Sequence, residues 1–502
     1  MSFPKAILRV LLIAAPFALL SACASKQAYE TAAPSLKLDG PRTVKAPKNV
    51  IFFIGDGMSP NHLDAANAFL GAPLTLYDFP VRLHCSTYFH GADYDSRDYW
   101  TNYGYAIDEN ADGEKVPDAE KNVVDSAASA TAISTGFKTD NGKIGMGPEP
   151  GRARLPHLGR DARALGKAYG VVTSVPFNHA TPASFIAYNE SRGNYQEIGT
   201  EMINSGATVI LGAGHPMFDG DGLPSGFPRY RYIKPFDYER LSEGRSRWTY
   251  IEETPQFEYL ANYDNPTPKK LFGLVPVEST LQQGRTRAPR EEGEVAEVYE
   301  DPLTEGLPDL ATLTKAALNT LEEDPEGFFL MVEGGAIDWA SHANDTPRMI
   351  EEMIDFDRAI AAALDWAENR NPGGLDDTLI VITADHDCGY PTGTGSGRRG
   401  NGPDIWYPVI SQGIGKVPAL QWGSTYHANS LVPFLAIGAG SEVFYDFADQ
   451  YDIRQGAYLD HTDIPTAVRM MWQAKYGLEI PEPTYPVIRP AEPEDEEETP
   501  AA

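Results

Sequence analysis

Cysteine is scarce in this 502-residue chain, with only Cys23, Cys85 and Cys388. Three cysteines do not make a disulfide framework. Basic residues are also short, 41 Lys and Arg against 71 Asp and Glu, for a formal net charge of −30. Such a surface repels phosphate backbones, which excludes nucleic-acid recognition. An acidic chain still binds a small anion where metal ions or arginines reverse the local field. Beyond the N-terminus no apolar run approaches the roughly 20 residues that span a bilayer. Wholesale disorder is excluded as well, because hydrophobic residues make up 42% and can build a large core.

The one long apolar stretch sits at the start. Lys5 and Arg9 precede an apolar run from Val10 to Leu20, too short for a spanning helix and suited to a signal-peptide core. It ends in Leu20-Ser21-Ala22-Cys23, which resembles the lipobox of bacterial lipoproteins. That resemblance implies a lipidated Cys23 as mature N-terminus and an exported protein of the periplasm or cell envelope, held to a membrane only by its anchor. Residues 1–22 then form the signal peptide and 23–47 a flexible tether, followed by one large domain over 48–480. Residues 481–502 form a Pro/Glu-rich acidic tail, expected to be disordered. Whether Cys85 and Cys388 meet is left open.

Within the domain, short apolar runs alternate with helical stretches. Strands are expected at Asn49–Ile54, Gly170–Ser174, Thr208–Leu211, Phe328–Val332, Leu379–Thr383 and Phe434–Ile437. Runs apolar on both faces suit a parallel sheet covered by helices, so the fold class is α/β, a mostly parallel central sheet between helices. Residues 216–305, rich in Tyr, Pro, Arg and Glu, read as a surface insertion. Residues 388–426, glycine-rich and loop-like, read as a second insertion able to cover a site.

Four of the strands are followed at once by metal-ligand residue types. Asp56 sits in Gly55-Asp56-Gly57 after the first. His179 and Thr181 follow the second. Glu333, then Asp338 and His342, follow Phe328–Val332. Asp385-His386 follows Leu379–Thr383. Each alone is weak, since Gly-Asp-Gly is commonly a turn and Asp338 and His342 are a simple i, i+4 pair. Ligands bind beyond the carboxyl ends of strands in open α/β sheets, so the four together converge on one edge. Oxygen and nitrogen donors without thiolates suit zinc at His/Asp sites and magnesium at oxygen-rich ones. A further segment, Asp125-Ser126-Ala127-Ala128, begins a helix of small residues. It reads either as plain N-capping or as a serine nucleophile in a helix dipole.

These segments, with Thr135-Gly136-Phe137-Lys138 and Thr383-Ala384-Asp385-His386, resemble the alkaline phosphatase family over about residues 48–475. The resemblance implies phosphate monoester hydrolysis with Ser126 as nucleophile, through a phosphoserine, using two zinc ions and one magnesium. It implies that Asp338, His342 and His427 hold the first zinc. Asp56, Asp385 and His386, with the serine oxygen, would hold the second. Asp56, Glu333 and Thr181 would hold magnesium. His179, which replaces an aspartate found in some members, would stand near magnesium and act through water. Arg192 matches the arginine that clamps phosphate. The surroundings of His427 depart from the common pattern, and His461 is the fallback. A homodimer is compatible with the family.

The nearest alternative is a phosphodiesterase or nucleotide pyrophosphatase on a similar scaffold. Those relatives generally lack the magnesium site that Glu333, Thr181 and His179 suggest. A monoester dianion has one more charged oxygen for that site to stabilise. A non-catalytic surface lipoprotein, the alternative from a different class, leaves the nucleophile, the arginine and the ligand set without a purpose.

Overall fold

The computed structural model describes residues 45–94, 123–149, 152–290, 296–397 and 406–479. The expected signal peptide, Cys23, most of the tether and the acidic tail lie outside them. Among the described residues, no helix is long and apolar enough to cross a membrane.

The core is one sheet. Its strands in chain order are β1 (Asn49–Gly55), β2 (Val81–Ser86), β3 (Ala168–Pro176), β4 (Val209–Ala213), β5 (Thr249–Ile251), β6 (Leu271–Leu274), β7 (Phe328–Gly334) and β8 (Thr378–Thr383). Two small ribbons follow, made from β9 (Asp387–Cys388), β10 (Pro391–Thr392), β11 (Gln421–Trp422) and β12 (His427–Ala428). The main sheet is completed by β13 (Val432–Gly438), β14 (Gln450–Asp452) and β15 (Gly456–Asp460). The eleven-stranded order is β14-β15-β2-β13-β8-β1-β7-β3-β4-β6-β5. From β8 to β5 every neighbouring pair is parallel. This is the mostly parallel α/β sheet that the apolar runs imply.

Two expectations need correction. Phe434–Ile437 does form a strand, but β13 runs antiparallel to β8 and β2. Its composition could not reveal direction, because an apolar run buried on both faces looks alike either way. Residues 216–305 are not wholly a surface insertion either. Leu271–Leu274 is fully buried and pairs with β4, since this short apolar run has the same reason to enter the sheet as the others.

Alternation along β1 explains the two helical layers. Phe52 meets Phe185 and Phe329 edge-on, with ring centroids 6.5 and 5.3 Å away. Phe53, on the opposite face, meets Phe356 at 5.9 Å. Phe356 belongs to the amphipathic Thr346–Asn369 helix, whose apolar side is buried. Gly334 makes room for it, because a Cβ there would lie 2.7 Å from the Phe356 ring.

The register matters most for function. Ile54 pairs with Glu333 on one side and Thr383 on the other, while Glu333 pairs with Thr173. The four strands that carry ligand motifs are therefore adjacent in the order β8-β1-β7-β3, and end at one edge. Phe356→Ala should cost about 3–5 kcal/mol, measured as a lowered denaturation midpoint. A loss below about 1 kcal/mol would show that this face repacks freely.

Candidate active site

At the carboxyl edge the chain turns sharply out of β1. Gly57 has φ +76°, and a Cβ on it would lie 2.9 Å from both Asp338 Cα and Cys388 Cβ. The turn carries Asp56, which is fully buried. Neither Asp56 carboxylate oxygen has a hydrogen-bond partner. The same holds for one oxygen each of Asp338, Asp385 and Glu333, and for the Thr181 hydroxyl. Buried polar atoms are almost always satisfied, so this concentration of unpartnered oxygens at one place fits a cation-binding site.

The histidines point the same way. His427 Nδ1 lies 2.8 Å from the Val124 carbonyl, and His342 Nδ1 lies 2.6 Å from the Thr425 carbonyl. A carbonyl only accepts, so both Nδ1 atoms donate and both Nε2 atoms present lone pairs. Yet the two Nε2 atoms are 3.2 Å apart, and Asp338 Oδ1 is 3.4 Å from one and 3.6 Å from the other. Tetrahedral zinc, with bonds of about 2.0–2.1 Å, separates its ligands by about 3.3–3.4 Å. The three side chains fit such an ion, and their Nδ1 partners are the outer contacts that fix the tautomer of metal-binding histidines.

A second group adjoins the first. His386 Nε2 is 3.2 Å from Asp385 Oδ2 and 3.5 Å from Asp56 Oδ1. Its ring stacks on His427 at 3.5 Å. Burial holds both His386 and His427 well below the usual imidazole pKa, which leaves each ring a lone pair suited to a metal ion. Asp385 Oδ1 is taken by the backbone amides of Gly57 and His386 at 3.0 and 2.9 Å, leaving Oδ2 free for a cation. A third group joins Asp56 to Glu333 and His179, whose ligand atoms lie within 4.8 Å of one another. Thr173 Oγ1 donates to Glu333 Oε2, and the Thr181 hydroxyl also faces this carboxylate. An oxygen-rich pocket of this kind fits magnesium.

Ser126 is the first residue of the Ser126–Thr135 helix. Capping falls to Asp125, which accepts from Ala128 N at 2.9 Å. Ser126 Oγ is thereby released from capping and hydrogen-bonds to His386 Nε2 at 3.2 Å. The other hydroxyls of the helix are engaged elsewhere. Ser129 donates to the Asp385 carbonyl at 2.6 Å and Thr131 to the Lys143 carbonyl at 3.1 Å. Arg192 Nη1 donates to Asp125 Oδ2 at 3.0 Å. Burial acts to lower the Arg192 pKa, but Asp125 and Asp56 outweigh it and hold the guanidinium above its ordinary value.

Ser126, Arg192, His179, Asp338, His342 and His427 line one open cleft of about 570 Å³. His461 is elsewhere, 3.1 Å from Ser129 Oγ and 2.6 Å from Lys138 Nζ, so it is His427 that joins Asp338 and His342. Sequence reasoning missed Asp125 as the partner of Arg192, since the two are 67 residues apart. It also missed Trp339, Tyr426 and Gln283, which complete the cleft wall. Gln283 comes from the 216–305 stretch. The places of Trp339, one residue after Asp338, and of Tyr426, one residue before His427, offered a signal. Cys85 and Cys388 are both buried and free.

A sheet edge of this kind, with clustered carboxylates and imidazoles beside a helix-start serine and an arginine, belongs to the metal-dependent phosphoryl-transfer class. Comparison with known proteins agrees. The family model described as alkaline phosphatase matches residues 47–457. Alkaline phosphatase 3 of Bacillus subtilis (strain 168) is 30% identical over 396 residues, which cover 77% of this chain and 70% of that protein. The tissue-nonspecific alkaline phosphatase isozyme of Homo sapiens is 29% identical over 408 residues, covering 77% and 71%. Among solved structures, the cold-active enzyme of the psychrophile Shewanella sp. aligns with a TM-score of 0.58 at 25% identity, covering 84% of this chain and 98% of that one. The Thermus thermophilus alkaline phosphatase aligns with a TM-score of 0.60 at 20% identity, covering 87% and 92%, a likeness of fold. The chain belongs to the alkaline phosphatase family and is a phosphatase.

Burial first, and neighbouring carboxylates second, raise Asp56 well above its usual pKa and Asp385 to about 7. Glu333 is raised to about 8, by burial above all. These folded-state values exceed the unfolded ones, so without metal the folded chain holds extra protons between about pH 4 and pH 8. Stability from these groups is present at the acid end and is lost as pH rises through the window. Metal-free protein should therefore melt at a lower temperature at pH 8 than at pH 6, and zinc with magnesium should raise Tm most at pH 8. A Tm that ignores both pH and metals would contradict a cation-dependent cluster.

Proposed function

We propose that this chain hydrolyses phosphate monoesters to an alcohol and inorganic phosphate through a phosphoserine at Ser126. The observation that carries the proposal is the Ser126 hydroxyl at a helix start, 3.2 Å from His386 Nε2 of one His/Asp cluster and in one cleft with Arg192 and the other cluster, Asp338, His342 and His427. Asp338, His342 and His427 would hold one zinc ion. Asp56, Asp385 and His386 would hold a second. Asp56, Glu333 and Thr181 would hold magnesium, with His179 beside it. The magnesium assignment has a precedent in the alkaline phosphatase of the Antarctic bacterium TAB5, of which mutant forms are described with magnesium bound in an M3 site. When bound, such ions supply positive charge to attacking, leaving and non-bridging oxygens.

The chain's own groups account for the rest. Ser126 Oγ attacks phosphorus in line, forming the Oγ–P bond as the P–O bond to the alcohol breaks. Water then attacks the phosphoserine, releasing phosphate and restoring Ser126. The Ser126–Thr135 helix presents its N-terminal amides and dipole to the phosphoryl group. Arg192, oriented by Asp125, binds two non-bridging oxygens through its planar fork. Ser129 keeps Asp385 in place through its hydrogen bond to the Asp385 carbonyl. Small alanines after Ser126 keep the helix start uncrowded.

Ser126→Ala should fold normally, and hydrolysis of p-nitrophenyl phosphate should fall by roughly 10³-fold or more. Acid quenching of wild-type turnover should trap phosphate on Ser126; phosphate on Ser129 or Thr131 alone would refute the assignment. Glu333→Ala separates the monoesterase from a phosphodiesterase. Its monoester kcat/KM should fall roughly 10²-fold, with hydrolysis of an aryl methyl diester almost unchanged. Equal losses would reduce Glu333 to a support of the neighbouring carboxylates. A wild type that prefers the diester would overturn the proposal.

A further inference from the structure

The cluster of Asp338, His342 and His427 has a fourth member outside the oxygen and nitrogen ligand set. Cys388 is fully buried and free of any disulfide. Its Sγ, an Asp338 carboxylate oxygen and one ring nitrogen each of His342 and His427 all lie within 4.8 Å of one another. We propose that Cys388 is a thiolate ligand of the metal held by Asp338, His342 and His427, giving one oxygen, two nitrogen and one sulfur donors. This rests on the reading that those three residues hold a metal.

Local structure builds the contact. Cys388 in β9 lies directly opposite His427 in β12, and directly opposed residues of an antiparallel pair share a face. The backbone N–H of Cys388 donates to the Gly57 carbonyl at 3.0 Å. This clamps the cysteine against the turn that carries Asp56. Gly57 has no side chain to separate Cys388 from Asp338, as the two 2.9 Å approaches show. The arrangement thus brings the sulfur close to the ligand helix Ala336–His342.

A buried cysteine often acts as a small hydrophobe, and Cys388 Sγ does donate to the Asp338 main-chain carbonyl at 3.7 Å. The same sulfur nevertheless lies within 4.8 Å of an Asp338 carboxylate oxygen and of a ring nitrogen each of His342 and His427. Zinc takes Cys sulfur at about 2.3 Å and His nitrogen at about 2.0–2.1 Å, which separates such donors by about 3.5 Å. Donors within 4.8 Å of one another would close by up to about 1.3 Å to meet that spacing. A thiolate there makes the site selective for thiophilic cations and poor for magnesium. A substrate oxygen would enter as a fifth ligand, an expansion that zinc sites tolerate.

Cobalt(II) titration of the metal-free protein tests this by absorption. Visible d–d bands report cobalt among tetrahedral oxygen and nitrogen donors, and a near-ultraviolet charge-transfer band reports thiolate. Wild type should show both. Cys388→Ser should keep the d–d bands, lose the charge-transfer band and bind zinc at this site at least roughly 100-fold more weakly. Cys85→Ser should leave both features intact. Wild-type d–d bands without charge transfer would overturn the thiolate and leave the metal site standing. Absence of any d–d bands would overturn the metal reading beneath it. A charge-transfer band that survives in Cys388→Ser would also overturn the proposal. Zinc-edge X-ray absorption on wild type decides the matter even if that variant fails to fold. A sulfur shell near about 2.3 Å supports the thiolate, and its absence refutes it.

Discussion

Four carboxylates share one buried spot at the edge of the sheet, and the rest of the site is organised around that electrostatic load. Asp56, Asp338, Asp385 and Glu333 are each no more than 5% exposed. Burying an unpaired carboxylate costs several kcal/mol, and placing four together adds mutual repulsion. Arg192, whose charge reaches Asp56, already pairs with Asp125. The chain thus carries a charge deficit that divalent cations relieve. The nearby imidazoles face this charge with Nε2, the Nδ1 atoms of His342 and His427 being turned to backbone carbonyls, while burial holds His386 and His427 well below the usual imidazole range.

The serine helix shows how one acidic side chain serves two needs. Asp125 caps the helix with one oxygen and holds Arg192 and the Gly142 amide with the other. Capping by the preceding residue releases Ser126 from backbone duty. The same helix is tied from below. Ser129 joins the Asp385 carbonyl to His461, and His461 contacts Lys138, itself paired with Asp460 at 2.8 Å. Lys138 lies 3.4 Å over the Tyr88 ring, so cation–π attraction further restrains this base. The nucleophile and the Asp385 ligand are thereby held as one unit.

The apolar runs made the six central and near-central strands readable, because burial on both faces demands uninterrupted hydrophobic sequence. The edge strands β14 and β5, and β15 and β2 inside one edge, are shorter or mixed in polarity, and their pattern does not separate them from loops. Ligand types following strand ends made Asp56, Glu333, Asp338, Asp385 and His386 legible. His427 was harder, because its two-residue strand is defined only by pairing with β9. The Arg192–Asp125 pair and the Gln283 wall depend on chain crossings that local sequence does not encode.

By itself, the sequence determined the residue types and the strand-then-ligand rhythm, since hydrophobic periodicity and short-range spacing are local properties. It thereby determined that four strands would present oxygen and nitrogen donors at one edge. Only the tertiary structure decided which donors lie together, that His427 rather than His461 completes the first cluster, and that Cys388 adjoins it. Those outcomes depend on strand order and cross-strand register, which bring residues tens to hundreds of positions apart within a few ångströms.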